Sequence, residues 1–130
     1  MQRKLSLFLG LMILIFGVLK FIDPFKSWYL AQIETSGLPQ NSYLMGIIGE
    51  IIVGLLLIVS LFLHDQKVKF YSILAGSAGL VGIMIVAVYV HLLPEVPAEV
   101  LPLKIKPPVI PFGVLLAAIY NLYRTLLRRV

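Results

Sequence analysis

One acidic residue, Glu50, lies inside a long apolar run, where a charged group is costly. If residues 43–63 form a helix, Glu50 stands roughly 10 to 12 Å from the start of that run, at about 1.5 Å per residue. An ionised side chain at the centre of a span costs about 2.5 to 3.5 kcal/mol, so such residues usually face protein and mark functional sites. Gly46 and Gly54 flank Glu50 at i−4 and i+4, on a seam of small residues that lets another helix approach closely. We expect Glu50 to face a neighbouring helix rather than lipid.

Lys20 and His91 are the two ionisable residues that could join Glu50 in an intramembrane polar cluster. Each lies near the end of another apolar run, and alternating helix directions bring both to the half of the bilayer that holds Glu50. Lys20 is about 60° around the helix from Gly17, so it can approach the same packed seam. Two plainer interpretations stay open: Lys20 snorkels to the interface, and His91 is a hydrogen-bonded structural residue or caps its helix there. Otherwise His91 would contact a proton or a quinone.

The sequence carries no further signature of chemistry. With no cysteine, it offers no disulfide, thiolate ligand or dithiol exchange. His64 and His91 are predicted on opposite sides of the membrane, so no metal site is predicted. Nucleophile–base pairs, phosphate-binding loops and dinucleotide fingerprints are missing, and one buried acid without an inverted repeat supports a secondary transporter poorly. We therefore predict no intrinsic cofactor; the sequence leaves open whether the chain is an enzyme and favours a role without catalysis.

The composition is that of a protein solvated largely by lipid. Of 130 residues, 60% are hydrophobic and only 13% are charged, well away from an average soluble domain. The net charge of +5 does not indicate a nucleic-acid partner, because the basic residues lie at the ends of apolar runs rather than in a stripe with aromatics. The first predicted partner is therefore the lipid bilayer.

Four stretches approach the roughly 20 apolar residues that a helix needs to cross a bilayer. They cover residues 5–22, 43–63, 70–93 and 109–123. The first exceeds the usual core of a signal peptide and has no small-x-small cleavage site after it, so we expect it to be retained. Pro107, Pro108 and Pro111 set the start of the fourth, and the short polar connection 64–69 makes the second and third an antiparallel hairpin. The predicted fold is all-α, a four-transmembrane-helix bundle in a single membrane domain over residues 1–130.

The basic residues predict an orientation in the cell membrane. One side carries seven of the eleven: Arg3, Lys4, Lys67, Lys69, Arg124, Arg128 and Arg129. The other side carries four: Lys20, Lys26, Lys104 and Lys106. The positive-inside rule then places both termini in the cytoplasm. An aromatic belt is predicted on the outer side, formed by Trp28, Tyr29, Tyr43 and Tyr89.

Two loops are predicted on the outer side. Residues 23–41 alternate acids with large apolar side chains, which fits either a short helix on the interface or a solvated loop. Residues 94–107 contain prolines that exclude a regular helix, and we expect an extended segment across the outer ends of the helices. The candidate site residues in these loops are Asp23, Glu95, Lys104 and Lys106.

Several short motifs together resemble a known family. They are Gly17, Lys20, Phe21, Asp23 and Pro24 at the exit of the first span, Gly49-Glu50 in the second, and His91-Leu92-Leu93-Pro94 with its continuation over 101–107. This pattern resembles the DoxX-like family of small four-helix integral membrane proteins. The resemblance implies a link to quinone-coupled sulfur oxidation, to oxidative-stress complexes or to assembly of other membrane proteins.

Three functions remain open from the sequence. The favoured one is a non-catalytic accessory or assembly subunit for a membrane or peripheral protein, within a complex that could be a redox complex. The alternative is a quinone-linked oxidoreductase subunit, in which Glu50, with Lys20 or His91, exchanges protons with a quinone headgroup or contacts it. A small-solute carrier is the remaining option.

Overall fold

A computed structural model describes residues 2–129 of the chain, with the side chains of Gln2, Pro102, Arg128 and Arg129 outside the described set. The two ends of the predicted domain 1–130, and the basic side chains counted at Arg128 and Arg129, therefore lie outside the described residues. The prediction of an all-α fold is confirmed, since the described backbone contains five α-helices and no strand.

The helices follow the apolar runs of the sequence, with one additional helix between the first two runs. They are α1 (Gln2–Leu19), α2 (Phe25–Ser36), α3 (Ser42–Val59), α4 (Gln66–Leu92) and α5 (Val109–Arg129). A short 3-10 turn, Ser60–Phe62, continues α3. Three segments of the described chain are long and apolar enough to cross a membrane: Ser42–Phe62, Gln66–Leu92 and Val109–Leu127. The chain is an integral membrane protein on this basis.

Several helices begin or end at other residues than the predicted spans. Hydropathy marks the residues that prefer lipid, whereas a helix can continue through polar residues on either side of them. α4 begins at Gln66 rather than at 70, since the Asp65 carboxylate accepts hydrogen bonds from the backbone N–H groups of Lys67 (2.9 Å) and Val68 (3.1 Å). α5 continues to Arg129 through a charged segment beyond 123. α1 ends at Leu19 instead of 22, which leaves Lys20 in the turn after the helix.

Glycines let α1 and α3 pack closely in antiparallel directions. A Cβ added at Gly54 would lie 2.8 Å from Leu14 Cβ and 3.0 Å from the Gly10 carbonyl oxygen, and one at Gly17 would lie 3.2 Å from Glu50 Cβ. α3 also packs on α4, and α4 packs on α5. The buried core between these helices consists of Leu9, Ile13, Val53, Leu57, Leu80, Met84 and Ala118.

Of the two alternatives for residues 23–41, the structure has the short helix. α2 buries Tyr29 and Ile33 against Ile47 of α3. It ends at Gly37, whose φ of 77° is the left-handed conformation that favours glycine at a helix C-terminus. The helix is therefore docked on the bundle by apolar contacts.

The segment between α4 and α5 is less extended than the prediction. It forms a 3-10 turn at Ala98–Val100 and a second tight turn at Pro102–Lys104, where Leu103 and Lys104 have left-handed φ angles of 53° and 56°. Val96 and Leu101 are buried against Val90 at the end of α4. The side-chain amide of Gln32 in α2 donates to the Val100 carbonyl, which ties α2 to this segment. We call the end of the bundle formed by residues 20–41 and 93–108 the loop end, and the end formed by residues 3–5, 63–69 and 124–127 the basic end.

Candidate functional site

The polar pair at the centre of the site joins the end of α1 to the middle of α3. The Lys20 ammonium donates a hydrogen bond to the Glu50 carboxylate, and the two side chains form an ion pair. Glu50 is only 4% exposed. Its second oxygen, Oε2, is buried and accepts no hydrogen bond from the described residues. The plainer interpretation of Lys20 as a snorkelling residue is therefore wrong, since the turn after Leu19 directs its ammonium inward.

Gly17 sets how closely α1 approaches this pair. The Cβ of an alanine at Gly17 would lie 3.2 Å from both Glu50 Cβ and Ile51 Cγ1, tighter than ordinary van der Waals contact. The absence of a side chain at Gly17 therefore lets the α1 backbone cover Glu50. The carboxylate faces protein across this contact, not lipid.

Tyr29 of α2 completes the site. Its ring centroid lies 4.2 Å from the Lys20 Nζ, a cation–π contact. Its hydroxyl donates to the Ser42 carbonyl (3.2 Å) and lies over Gly46, where a Cβ would be 2.0 Å from the hydroxyl oxygen. Burial raises the pKa of the Tyr29 phenol, and the neighbouring Glu50 carboxylate raises it further. The hydroxyl therefore stays protonated at neutral pH and remains a donor.

Sequence reasoning assigned Tyr29 only to the aromatic belt. Its role in the site depends on the reversal of the chain between α1 and α2, which returns α2 across the α1–α3 contact. Gly46, one helical turn before Glu50, was the available signal, because a glycine on that face leaves room for a large side chain.

The structure does not bring His91 into contact with the pair. His91 is buried, and its Nδ1 hydrogen-bonds the Ala87 carbonyl at 2.8 Å within α4. No hydrogen bond or ion pair connects it to Lys20 or Glu50 among the described residues. The charged side chain near enough to influence the His91 ring is that of Lys106. His91 therefore has the position expected for a structural histidine under the loop.

The four outer-loop candidates are not assembled into one site. Asp23 accepts a hydrogen bond from Ser27 Oγ (2.6 Å) at the start of α2. Lys106 donates to the carbonyls of Leu93 and Val96, the latter at 2.6 Å. Glu95 and Lys104 are exposed. Lys106 thus acts on the backbone after α4, where a cation also complements the helix dipole.

A second buried polar cluster was missed by sequence reasoning. The Asn121 side-chain amide of α5 donates to Ser77 Oγ (2.9 Å) in α4 and to Ser6 Oγ (3.0 Å) in α1. All three residues have 0% exposure. Asn121 was detectable as the one amide inside the fourth predicted span, but serines are too common in membrane helices to identify its partners.

The side chains present limit the chemistry that this site can support. The described part of the chain contains no group of three or more His, Asp or Glu side chains that could hold a metal ion. What it contains is a buried carboxylate with one oxygen paired to an ammonium and the other available to a donor.

No family model, curated protein or solved structure matches the chain. Its function therefore rests on this geometry.

Proposed function

We propose that this chain is a DoxX-like, four-span protein of the cell membrane with both termini in the cytoplasm, acting as a non-catalytic accessory or assembly subunit. α1 supports the fourth span, since its 18 residues are largely apolar and it packs along the length of α3. A helix that lies antiparallel beside a spanning helix crosses the same bilayer. The asymmetry of basic residues between the two ends of the bundle supports the orientation.

The observation that carries the accessory role is that two sets of buried polar side chains bond to each other between helices of the chain itself. Lys20 and Glu50 connect α1 to α3, while Ser6, Ser77 and Asn121 connect α1, α4 and α5. Such contacts favour association of membrane helices because the groups have no water to bind in hydrocarbon. They make a stable bundle that can present its outer surface and its loop end to another membrane or peripheral protein.

One specific observation favours a second candidate, a quinone-linked redox subunit. Glu50 Oε2 is buried without a hydrogen-bond partner among the described residues, and buried polar atoms in proteins nearly always accept a hydrogen bond from some donor. Gly17 of α1 packs against Glu50, and the Tyr29 ring contacts the Lys20 ammonium that pairs with the carboxylate.

A complementation experiment separates the two candidates. The chain is purified from its native membranes in mild detergent, and stoichiometric proteins and bound quinone are identified by mass spectrometry. Cells lacking the chain are then supplied with the parent or with Lys20→Met/Glu50→Gln, which removes both charges together. An accessory role predicts that the double variant restores the amount of assembled partner to the parent level. Normal assembly with loss of quinone-dependent activity would instead establish the redox candidate.

A further inference from the structure

A groove runs along the start of α4 at the basic end, on the surface away from the Glu50 site. A cavity of about 350 Å³ lies between α3 and α4, lined by Leu56, Lys67, Val68, Tyr71, Ser72 and Ala75. A second cavity of about 300 Å³ is lined by Gln66, Lys67, Phe70 and Tyr71. The two share Lys67 and Tyr71, so they form one continuous surface that we call the Lys67 groove.

The lining of the Lys67 groove changes from charged to apolar along the helix. Lys67 and the Tyr71 and Ser72 hydroxyls supply polar groups toward the end of the bundle, while Leu56 and Ala75 supply an apolar wall toward its middle. From Gln66 to Ala75 the helix rises about 14 Å. A phospholipid changes in the same way, from its charged phosphate to its apolar upper acyl chains.

The charge at this end selects an anion. The described basic side chains there are Arg3, Lys4, Lys67, Lys69 and Arg124. The acid of this end, Asp65, accepts hydrogen bonds from the backbone at the start of α4, and Lys67 forms no ion pair with a described residue. Basic grooves at the ends of spanning helices attract anionic headgroups.

We propose that the Lys67 groove binds an anionic phospholipid, with the phosphate at Lys67 and Tyr71 and the upper acyl chain against Leu56 and Ala75. This site is separate from the Glu50 site and independent of the proposed accessory role. A second copy of the chain or a partner helix could also cover an apolar surface, but neither is selected by the charge of Lys67.

The test uses the full chain in nanodiscs that contain equal amounts of phosphatidylglycerol and phosphatidylcholine, and counts retained lipids by native mass spectrometry. The parent is expected to retain phosphatidylglycerol preferentially. Lys67→Gln should reduce that preference about fivefold, since one basic residue near an anionic surface contributes on the order of that factor. Lys67→Arg should preserve it. The matched control is Lys104→Gln, which removes an exposed lysine at the loop end and should change nothing.

A second variant probes the apolar wall. Ala75 is exposed, so Ala75→Leu fills the groove without entering the core, and it should lower retention of both lipids. The proposal is overturned if the parent retains the two lipids equally, or if Lys67→Gln and Lys104→Gln act alike. A disulfide-linked dimer formed by Ala75→Cys, with no lipid preference in the parent, would assign the groove to a second copy instead.

Discussion

The Lys20 ammonium lies between the Glu50 carboxylate and the face of the Tyr29 ring, so it contacts both α3 and α2 from the turn after α1. Glu50 is 4% exposed, and its other oxygen accepts no hydrogen bond from the described residues. Removing only the cation would therefore leave a buried, uncompensated charge, whereas removing both charges would not. This asymmetry gives the first prediction.

Lys20→Met should destabilise the protein more than Lys20→Met combined with Glu50→Gln. Breaking a buried pair costs about 3 to 5 kcal/mol in soluble proteins, and uptake of a proton by Glu50 would reduce that cost. Thermal unfolding in detergent, followed by circular dichroism, gives the order of stabilities. Lys26→Met, at an exposed position in α2, is the control and should unfold like the parent. Equal stability of the single and double variants would mean that the pair does not couple α1 to α3.

Contacts between residues close together on one helix could be predicted from the sequence, and contacts that depend on how the chain turns between helices could not. Glu50 was predictable because Gly46 and Gly54 lie on its own helix, at spacings fixed by helix geometry. For Lys20 the helical angle to Gly17 made an approach to the seam possible but left snorkelling open, because the turn after Leu19 decides where its ammonium points. Tyr29 was not, because its contact depends on the conformation of the turn over residues 20–24. His91 belongs to the same half of the bundle, but its ring hydrogen-bonds the Ala87 carbonyl within α4 and not Glu50.

Asn121→Leu should destabilise the bundle by about 1 to 2 kcal/mol, because interhelical hydrogen bonds in membranes contribute on that order. The substitution keeps a side chain of four heavy atoms branched at Cγ but removes the donors to Ser6 and Ser77. Stability can be measured by unfolding in mixed micelles. Adding Ser77→Ala should cost less in the Asn121→Leu background than in the parent, and Asn41→Ala, at an exposed position without a side-chain cap, serves as control. Additive losses would contradict a shared network.

Gly54→Ala should destabilise the protein and Gly82→Ala should not, although both place one methyl group inside a spanning helix. At Gly54 the new Cβ would lie 2.8 Å from Leu14 Cβ and 3.0 Å from a backbone oxygen, so α1 must move away from α3. At Gly82 nothing lies within 4 Å, and alanine gains up to about 1 kcal/mol of helix propensity. Gly54→Ala should therefore lower the unfolding temperature, while Gly82→Ala should raise it or leave it unchanged. A loss of stability at Gly82 of the size found at Gly54 would show that the α4 face is packed in the protein.

The proposed orientation predicts which introduced cysteines react from outside the cell. The natural chain has no cysteine, so a single Gln40→Cys or Gln66→Cys gives one thiol at an exposed position on opposite ends of the bundle. An impermeant thiol reagent should label Gln40→Cys in intact cells, and Gln66→Cys only after the membrane is opened. The reverse pattern would show that the chain is inserted with its termini outside.

Lys106→Met should loosen the segment between α4 and α5 without unfolding the bundle. Lys106 donates to the carbonyls of Leu93 and Val96, which lie directly after α4, and methionine cannot make these bonds. Val96 and Leu101 pack on Val90, so the segment keeps its apolar contacts and only part of its attachment is lost. Limited proteolysis from the loop end should therefore cut residues 93–108 faster in Lys106→Met, at an unchanged unfolding temperature. Lys104→Met removes a lysine that is exposed in the same segment, and its cleavage rate should equal that of the parent. If the two variants are cut at the same rate, the Lys106 ammonium does not hold this segment, and burial of Val96 and Leu101 alone fixes its position.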